Sequence, residues 1–509
     1  WLLCRSNHLS SLPIDSSFFI HIIMAEDAEM RNKMKTYWQV HKPSLESMML
    51  SDQAVYLAEN EQNEIISYLP NYRGKKVLEL GAGIGRFTSR LAVVAGHVTA
   101  VDFMESYIQE NKKDNGHLGN IDFKTADVTK LDYPPGSFDI VFSNWLLMYL
   151  TDVEVEALMG RVLTWLKPGG YLFMRESCYH QSGNKKRDEN PTFYRTPLQY
   201  SQMLQRQYDA VADTNFKIIK GKNIITYIQY HGNPNQLCFV AQSQQSKNDG
   251  SGVGHQARQY TIEGIKQYER MYGHNYICTG GEQTTRNFAS RLGLSPGQRV
   301  LDVGCGTGGS AFFMARHYGA YVHGIDLSTN MIHLAIERDG KQEIEIKKKL
   351  QFEITDVLET CYDESSYDVI YCRDAVPHIQ DKEILFQKFY RWLKPGGKMF
   401  MTDFCLGKTP MSEDFKAYMF NRRGYSLQSI ESCRSALEKA GFKQVVAEDR
   451  SQQLVTIHKQ EVETFIPTEE AFVAEFSRRD FNDLVKTWTD VIHWTEDGQM
   501  AWGSFTVTK

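Results

Sequence analysis

Residues 75–87 read KKVLELGAGIGRF, and residues 298–310 read QRVLDVGCGTGGS. Each begins as a short apolar run of strand length and breaks into glycines at alternate positions, the pattern of a buried strand turning sharply into a helix. The likeness continues downstream in step. VTAVDF at 98–103 matches VHGIDL at 322–327, KTADVT at 124–129 matches EITDVL at 353–358, and FDIVFSNWLLMYL at 138–150 matches YDVIYCRDAVPHI at 367–379. Both series close on LKPGG, at 166–170 and 393–397. Five landmarks in one order, offset by about 225 residues, describe a duplicated domain.

Within each copy, strand-length apolar runs alternate with amphipathic helical stretches, which predicts parallel βαβ units in a doubly wound α/β sheet. VLEL and VLDV are the buried first strands, TSRLAVVAG and AFFMARHYG the helices behind the glycine loops, LKPGG a turn, and YLFMRES and KMFMTDF the fifth strands. IITYIQYHG with QLCFVAQS, and QVVAEDRS with WGSFTVTK, read as terminal antiparallel hairpins at the sheet edges. A mostly parallel sheet closed in this way is typical of class I, Rossmann-like methyltransferases rather than dehydrogenases. The polar, Gly/Ser-rich run QSQQSKNDGSGVGHQ at 242–256 marks the connection. The expected organisation is a first domain over 24–242, a linker over 243–256 and a second domain over 257–509. Residues 1–23 are expected to be disordered upstream sequence with Met24 as initiator, because the apolar patch at 18–23 is too short for a signal peptide.

A length of 509 residues exceeds one ordinary core, in agreement with the repeat. A net charge of −5, with no basic stripe, excludes nucleic acid as the main partner. No apolar run reaches membrane-spanning length. Nine cysteines stand without C-x-x-C pairs or zinc spacing, which points to a reduced, cytoplasmic compartment and to no metal site. A monomer is expected.

Glycines after a first strand let the backbone turn tightly and approach a nucleotide closely. Gly81 and Gly83, followed by Gly85, take these places in the first copy; Gly304 and Gly306, followed by Gly308, take them in the second. Gly309 also completes G-x-G-x-x-G in the second copy, as in dinucleotide-binding dehydrogenases, whereas the first copy has Arg86 there. Asp102 and Asp326 end the second strands, where a carboxylate accepts both ribose hydroxyls. After the third strands, Asp127 with Val128 and Asp356 with Val357 can accept the adenine amino proton and offer an amide to a ring nitrogen. A lone aspartate at such a place is more often a helix cap. Matched acids in both copies favour S-adenosylmethionine, released as S-adenosylhomocysteine. Glu79 and Asp302 close the first strands and fit either loop ordering or contact with the methionine amino group.

The chain resembles the phosphoethanolamine N-methyltransferases, in the tandem form of plants, over roughly residues 31–509. In the first copy the resemblance rests on KTYW, MML, VLELGAGIGRFT, FSNWLLMYL and RESCYHQSGNKKRDENPTFYR. In the second it rests on RQYTIEGIKQYERMYGHNYICTGG, CRDAVPHIQDK, LKPGGKMFMTDFC and RRGYSL. It implies stepwise methylation of phosphoethanolamine, through its monomethyl and dimethyl forms, to phosphocholine. It further implies that Tyr260 pairs with His378 over the substrate and that Gln259 and Tyr260 close the site. Arg423 and Tyr425, beside Tyr268 and Tyr418, would contact the phosphate, and Ile277, Cys278, Leu327 and Arg373 would join the cofactor set. In the first copy it implies Ser177, Ser182, Gly183, Arg187 and Tyr194 for the phosphobase, Tyr37 as a lid, and Arg86 and Asn144 for the cofactor.

The residues also give a reading of the chemistry. Methyl transfer from a sulfonium is an in-line displacement, so catalysis is mainly positioning. A primary amine with a pKa near about 10 is protonated at neutral pH and needs a base or a proton path. His378 is the side chain near the second-copy motifs suited to titrate near pH 7. Asp374, four residues earlier, shares its face if the segment is helical, and Pro377 fits only at the start of such a turn. Tyr260, Gly264 and Tyr268 fall on an i, i+4, i+8 row, so one helix would present both phenols; a tyrosine stripe in the core is the plainer reading. A fork-shaped guanidinium suits phosphate, and aromatic faces suit a quaternary ammonium.

Two positions depart from the family. Phe404 stands where a tyrosine is usual, and Val491 replaces the lysine of a W-x-x-K run, a loss worth about 1–3 kcal/mol of phosphate binding. Arg422 adds a residue beside Arg423 and leaves open which arginine faces the phosphate. Trp145 and Tyr149 stand where Asp374 and His378 stand, so the first copy has no equivalent imidazole. The first copy is expected to act on the primary amine and the second on methylated intermediates. Methylation of another small amine, or one copy that only binds cofactor, are the alternative readings.

Overall fold

The computed structural model describes residues 30–49, 54–181, 191–246 and 260–509; the expectations for residues 1–23, for Met24 and for the linker beyond residue 246 lie outside the described residues. The first half contributes β1 (Lys76–Leu80), β2 (His97–Asp102), β3 (Ile121–Thr125), β4 (Phe138–Asn144), β5 (Leu166–Ser177), β6 (Tyr208–Asp209), β7 (Thr214–Asn223) and β8 (Gln236–Gln245). The second contributes β9 (Arg299–Val303), β10 (Tyr321–Asp326), β11 (Leu350–Ile354), β12 (Tyr367–Arg373), β13 (Leu393–Leu406), β14 (Lys443–Asp449) and β15 (Met500–Thr508). VLEL and VLDV are buried throughout, as central strands covered on both faces must be.

The order is β3-β2-β1-β4-β5-β8-β7 in the first half and β11-β10-β9-β12-β13-β15-β14 in the second. The two copies therefore share one topology, with the last strand inserted antiparallel beside the fifth. In each, the chain reverses direction across the sheet at the first strand, which opens a crevice at the carboxyl ends of β1 and β4, and of β9 and β12. The glycine loops lie in these crevices.

Five expectations are corrected. LKPGG is not a free-standing turn: both copies are drawn into the start of the long strands β5 and β13, with register shifts absorbing the bend. IITYIQYHG forms a helix, Ile225–His231, and the partner of β8 is β7. The β-branched run favours a strand locally, but the Glu64 carboxylate accepts from the amides of Ile225 and Thr226 at 2.6 and 2.8 Å and caps a helix there. β8 runs through Gln245, three residues into the expected linker. β14 and β15 do pair, but helices Ser451–Phe465, Glu469–Glu475 and Arg478–Glu496 separate them, so they are no tight hairpin. Phe465, Phe472, Phe481 and Trp488 pack this helical insert against Met271, over the second crevice.

The first copy's antiparallel pair is not at an edge either. β7 pairs antiparallel with β11, Gly221 opposite Ile354 and Lys222 opposite Glu353, and joins the halves into one 15-stranded sheet among the described residues. A Cβ at Gly221 would lie 2.7 Å from Cδ1 of Ile354, so a glycine permits the approach. Glu353 is fully buried, with Nε2 of His323 at 2.9 Å, Nζ of Lys222 at 3.5 Å and Nζ of Lys220 at 3.7 Å. Burial pushes its carboxyl up, and Lys222, His323 and Lys220 together outweigh that and hold it well below the usual carboxylate range. Lys222→Met leaves this buried carboxylate undercompensated and is expected to cost about 3 kcal/mol in chemical denaturation at pH 7. Adding Glu353→Leu should recover most of the loss; a single variant as stable as the parent would refute the clamp.

Candidate active sites

The glycine loops of the two halves are superimposable in their backbone logic. Gly81 and Gly83 have φ of 71° and 56°, Gly304 and Gly306 of 71° and 54°, a left-handed geometry that favours glycine. The amide of Gly83 donates to Oδ2 of Asp102 at 2.9 Å, and that of Gly306 to Oδ2 of Asp326 at 3.0 Å. The second oxygen of each takes the amide two residues on, from Met104 and Ser328. Burial pushes the Asp102 carboxyl up to about 6 and raises Asp326, with these amides pulling the other way. Asp127 and Asp356 each spend one oxygen on the turn that follows, accepting from the amides of Thr129 and Leu358 at 2.9 Å. The capping reading thus holds for one oxygen of each, and the other oxygen of Asp127 faces Arg31 at 3.7 Å.

At the strand ends, burial pushes the Glu79 carboxyl up to about 8 and that of Asp302 up to about 7. Oδ2 of Asp302 is buried without a partner among the described residues. Buried acids of this kind regain their charge when a cation lies against them. The donor set of each crevice accordingly fits a nucleoside that carries a cationic amino-acid arm.

In the second half, both predicted residue sets line one cavity of about 1510 Å³. Tyr260 precedes the helix Ile262–Tyr272, which Thr261 caps, so Tyr260 and Tyr268 reach the cavity from a helix end and a helix face rather than from one stripe. The Tyr260 hydroxyl is 2.8 Å from Nε2 of His378. His378 closes a 3-10 turn, Val376–His378, with Pro377 in its opening positions, and Nζ of Lys382 pins the turn by donating to the carbonyls of Val376 and Ile379 at 2.7 and 2.9 Å. Burial, then the charges of Arg423 and Lys382, push the His378 imidazole down to about 4. Asp374 does not share a helical face with it: the turn begins only at Val376, and Asp374 sits at φ 52°. Its Oδ1 accepts from Thr402 and from the Trp502 indole, both at 2.9 Å.

Arg423 donates to the phenols of Tyr418 at 2.9 Å and Tyr268 at 2.8 Å. A π-helical turn spans Ala417–Arg422, and both arginines line the cavity and lie against the Tyr418 ring, Arg422 exposed at 5.6 Å and Arg423 the more buried at 5.0 Å. Tyr425 meets His378 edge-to-face at 4.8 Å and stacks on Phe404 at 6.4 Å. Both departures, Phe404 and Val491, line the cavity. Ile277 packs on the loop, close enough that a Cβ at Gly306 would lie 2.9 Å from its Cδ1; Cys278 and Val357 also face the cavity, and Leu327 stands at it two-thirds exposed. Arg373 donates to Thr285 at 3.0 Å and to the carbonyls of Thr279 and Gly281, and so tethers the Ile277 segment. Gln259 lies outside the described residues.

The first crevice holds Gly81, Gly83, Arg86, Asp102, Asp127, Val128 and Asn144, but its free volume is about 90 Å³. Met34 and Trp38, on the helical residues 30–39, and Met48 fill it; a Cβ at Gly83 would lie 2.5 Å from Cε of Met48. A ligand the size of a nucleoside enters only when this N-terminal segment moves aside. Tyr37 stacks edge-on against Trp38, and Trp38 against Tyr149. Ser177 accepts from Gln236 at 2.6 Å, and neither it nor Tyr194 lines the crevice. Ser182, Gly183 and Arg187 lie outside the described residues.

Several residues around the sites are silent in the sequence. Arg31 faces Asp127 at 3.7 Å and also pairs with Glu154. Glu61, fully buried, binds Arg86 at 2.9 Å and Arg175 at 2.5 Å, and the Arg175 guanidinium lies 3.7 Å from the Trp145 ring centre and donates to Asn144. Glu176 accepts from the amides of Leu146, Leu147 and Met148 and shapes the Trp145 loop. In the second half, Glu461 accepts from the Gly280 amide and the Trp488 indole, both at 2.8 Å, and fixes the Ile277 segment from the insert. Only a buried acid next to a strand end, as in RES at 175–177, carries any sequence signal for this group.

One methyltransferase-domain family model matches residues 77–170 and a second matches residues 272–448. The chain is 44% identical to phosphoethanolamine N-methyltransferase 1 of Zea mays over 491 residues, 95% of this chain and 97% of the relative. It is 44% identical to phosphoethanolamine N-methyltransferase 3 of Arabidopsis thaliana over 490 residues, 95% and 99% of the two chains. Its fold is that of Haemonchus contortus phosphoethanolamine N-methyltransferase 2, solved with phosphomonomethylethanolamine and S-adenosylhomocysteine, at a TM-score of 0.70 and 24% identity over 89% of this chain and 99% of that one. With a methyltransferase domain in each half and full-length identity of this order to plant enzymes, the chain belongs to the phosphoethanolamine N-methyltransferases.

Proposed function

We propose that the chain converts phosphoethanolamine to phosphocholine by successive N-methylations, the first half acting on the primary amine and the second on the methylated intermediates. The observation that carries this reading is the second cavity, which holds a nucleoside-binding acid set, a neutral Tyr–His pair and an aromatic-lined arginine in one space. Asp326, Asp356 and the loop of Gly304 and Gly306 would hold S-adenosylmethionine there, with Asp102, Asp127 and the loop of Gly81 and Gly83 in the first half. Bound there, the cofactor supplies a methyl on a sulfonium, open to in-line attack by an amine. The chain's own part is to hold the phosphobase and manage its proton. Arg423, already oriented by Tyr418 and Tyr268, is placed to take the phosphate. His378 is held neutral at physiological pH, and in its Nδ1–H tautomer Nε2 would accept the Tyr260 hydroxyl proton and could take the ammonium proton through it. Tyr425, Phe404 and Tyr260 offer ring faces to a cation that grows more methylated, which suits the later steps.

The first half has no imidazole at this place. Trp145, stacked on Arg175, and Tyr149 stand there instead, which supports a separate step. Among the described residues no helix is long and apolar enough to cross a membrane, and no group of acids, histidines and cysteines could hold a metal. The described cysteines are all unpaired thiols, in keeping with a cytoplasmic enzyme, expected to act as a monomer.

Asp102→Ala is expected to abolish product from phosphoethanolamine while activity on the monomethyl phosphobase persists, and Asp326→Ala to let the monomethyl product accumulate. Loss of both steps in either variant would contradict separate sites. His378→Ala should lower kcat on the monomethyl substrate by about 100-fold. Because the imidazole is held near 4 rather than 6.5, its base form is present throughout neutral pH, and kcat/KM on that substrate should show no histidine inflection between pH 6 and 7. An inflection there that vanishes in His378→Asn would overturn the assignment.

A further inference from the structure

We infer that the first half of the chain builds the outer wall of the second half's cofactor cleft, at the adenine end, through Asn215 and Phe216 of β7 with Gln205 beside them. The inference rests on the reading of that cleft as a cofactor site. β7 runs antiparallel to β11, so its beginning lies at the carboxyl end of β11, where Thr355 and Asp356 leave the sheet. The chain beyond the paired residues, Gly221 and Lys222, therefore runs beside the segment from Thr355 to Leu358. Gln205, Asn215 and Phe216 line the same cavity as Leu327, Val357 and Leu358. Phe216 is buried in the core that the two halves share and that also holds Phe352 and Ile354 of β11. Asn215 is half-buried, and its side-chain amide has no partner among the described residues.

The chain carries its own control. In the first half the third strand, β3, is the outer edge of the sheet, with no strand beyond it among the described residues. There Asp127 is faced instead by Arg31 of the N-terminal helix. The equivalent wall is local in one site and borrowed across the halves in the other. Fusion of the two domains thus completes the second site rather than merely tethering two enzymes.

The test uses the full chain, with S-adenosylmethionine as the varied ligand. Asn215→Leu and Phe216→Ala are expected to raise KM for S-adenosylmethionine by about tenfold with the monomethyl phosphobase as acceptor, the scale of losing one face against an adenine ring. The kcat at saturating cofactor and the KM of the phosphoethanolamine step should stay unchanged, a split that general destabilisation would not produce. If Phe216→Ala fails to fold, Asn215→Leu and the volume-conserving Phe216→Leu decide. Unchanged KM in the folded variants, or equal rises at both steps, overturns the inference. Asp326→Ala separates this failure from that of the underlying reading: if it leaves the second step intact the cleft itself is misassigned, whereas if it abolishes the step and the wall variants do nothing, only the borrowed wall falls.

Discussion

At the end of each second strand a buried aspartate takes two backbone amides, one from a left-handed glycine of the loop and one from the residue two places on. This clasp closes the crevice at the point where the chain reverses across the sheet. A Cβ at Gly83 or Gly306 would press on the ends of the Met48 and Ile277 side chains, and the left-handed φ at both positions favours glycine. The carboxylate is costly to bury, and the amides offset only part of that cost, so Asp102 remains raised to about 6.

The duplication kept this clasp and changed what covers it. Over the first crevice lie the N-terminal helical residues, whose Met34 and Trp38, with Met48, fill the space. Over the second lie the short helix beginning at Ile262 and a three-helix insert between the last two strands, and a large cavity remains beneath them. The acceptor chemistry follows the covers. The segment between β13 and β14 brings Tyr418, Arg423 and Tyr425 to the cavity of His378, whereas at Trp145 the arginines Arg86 and Arg175 lie against the indole. Two sites of one ancestry therefore differ in volume, in charge and in the presence of a base.

The motifs that define the nucleotide crevice were legible because their chemistry is local: a strand, a glycine turn and an acid at fixed spacing. The repeat made them secure, since Asp127 alone reads equally well as a cap and in fact serves as one. What was not legible depends on contacts between distant segments. The run at 224–231 looks like a strand until Glu64, some 160 residues away, caps it as a helix. The arginines at 422 and 423 could not be told apart from the sequence, and only their burial and the hydrogen bonds of Arg423 to Tyr418 and Tyr268 separate them. The merging of two sheets through β7 and β11 has no motif at all. Its only trace is a lysine-rich strand, which looks solvent-exposed and instead delivers Lys222 and Lys220 to the buried Glu353.

The electrostatics of the second site follow from asking one pocket to hold a phosphate and to relieve an ammonium of its proton. A guanidinium suits the first task and opposes the second, because a nearby cation makes a base weaker. Arg423 does depress His378, after burial and together with Lys382. In the proposed reaction a phosphate laid against Arg423 offsets that part of the depression, while burial, its larger cause, persists and keeps the histidine in its neutral form. The same logic gives Lys382 its place. Its ammonium is spent on the carbonyls of Val376 and Ile379, where it fixes the turn that carries the imidazole while adding to the field that holds it neutral.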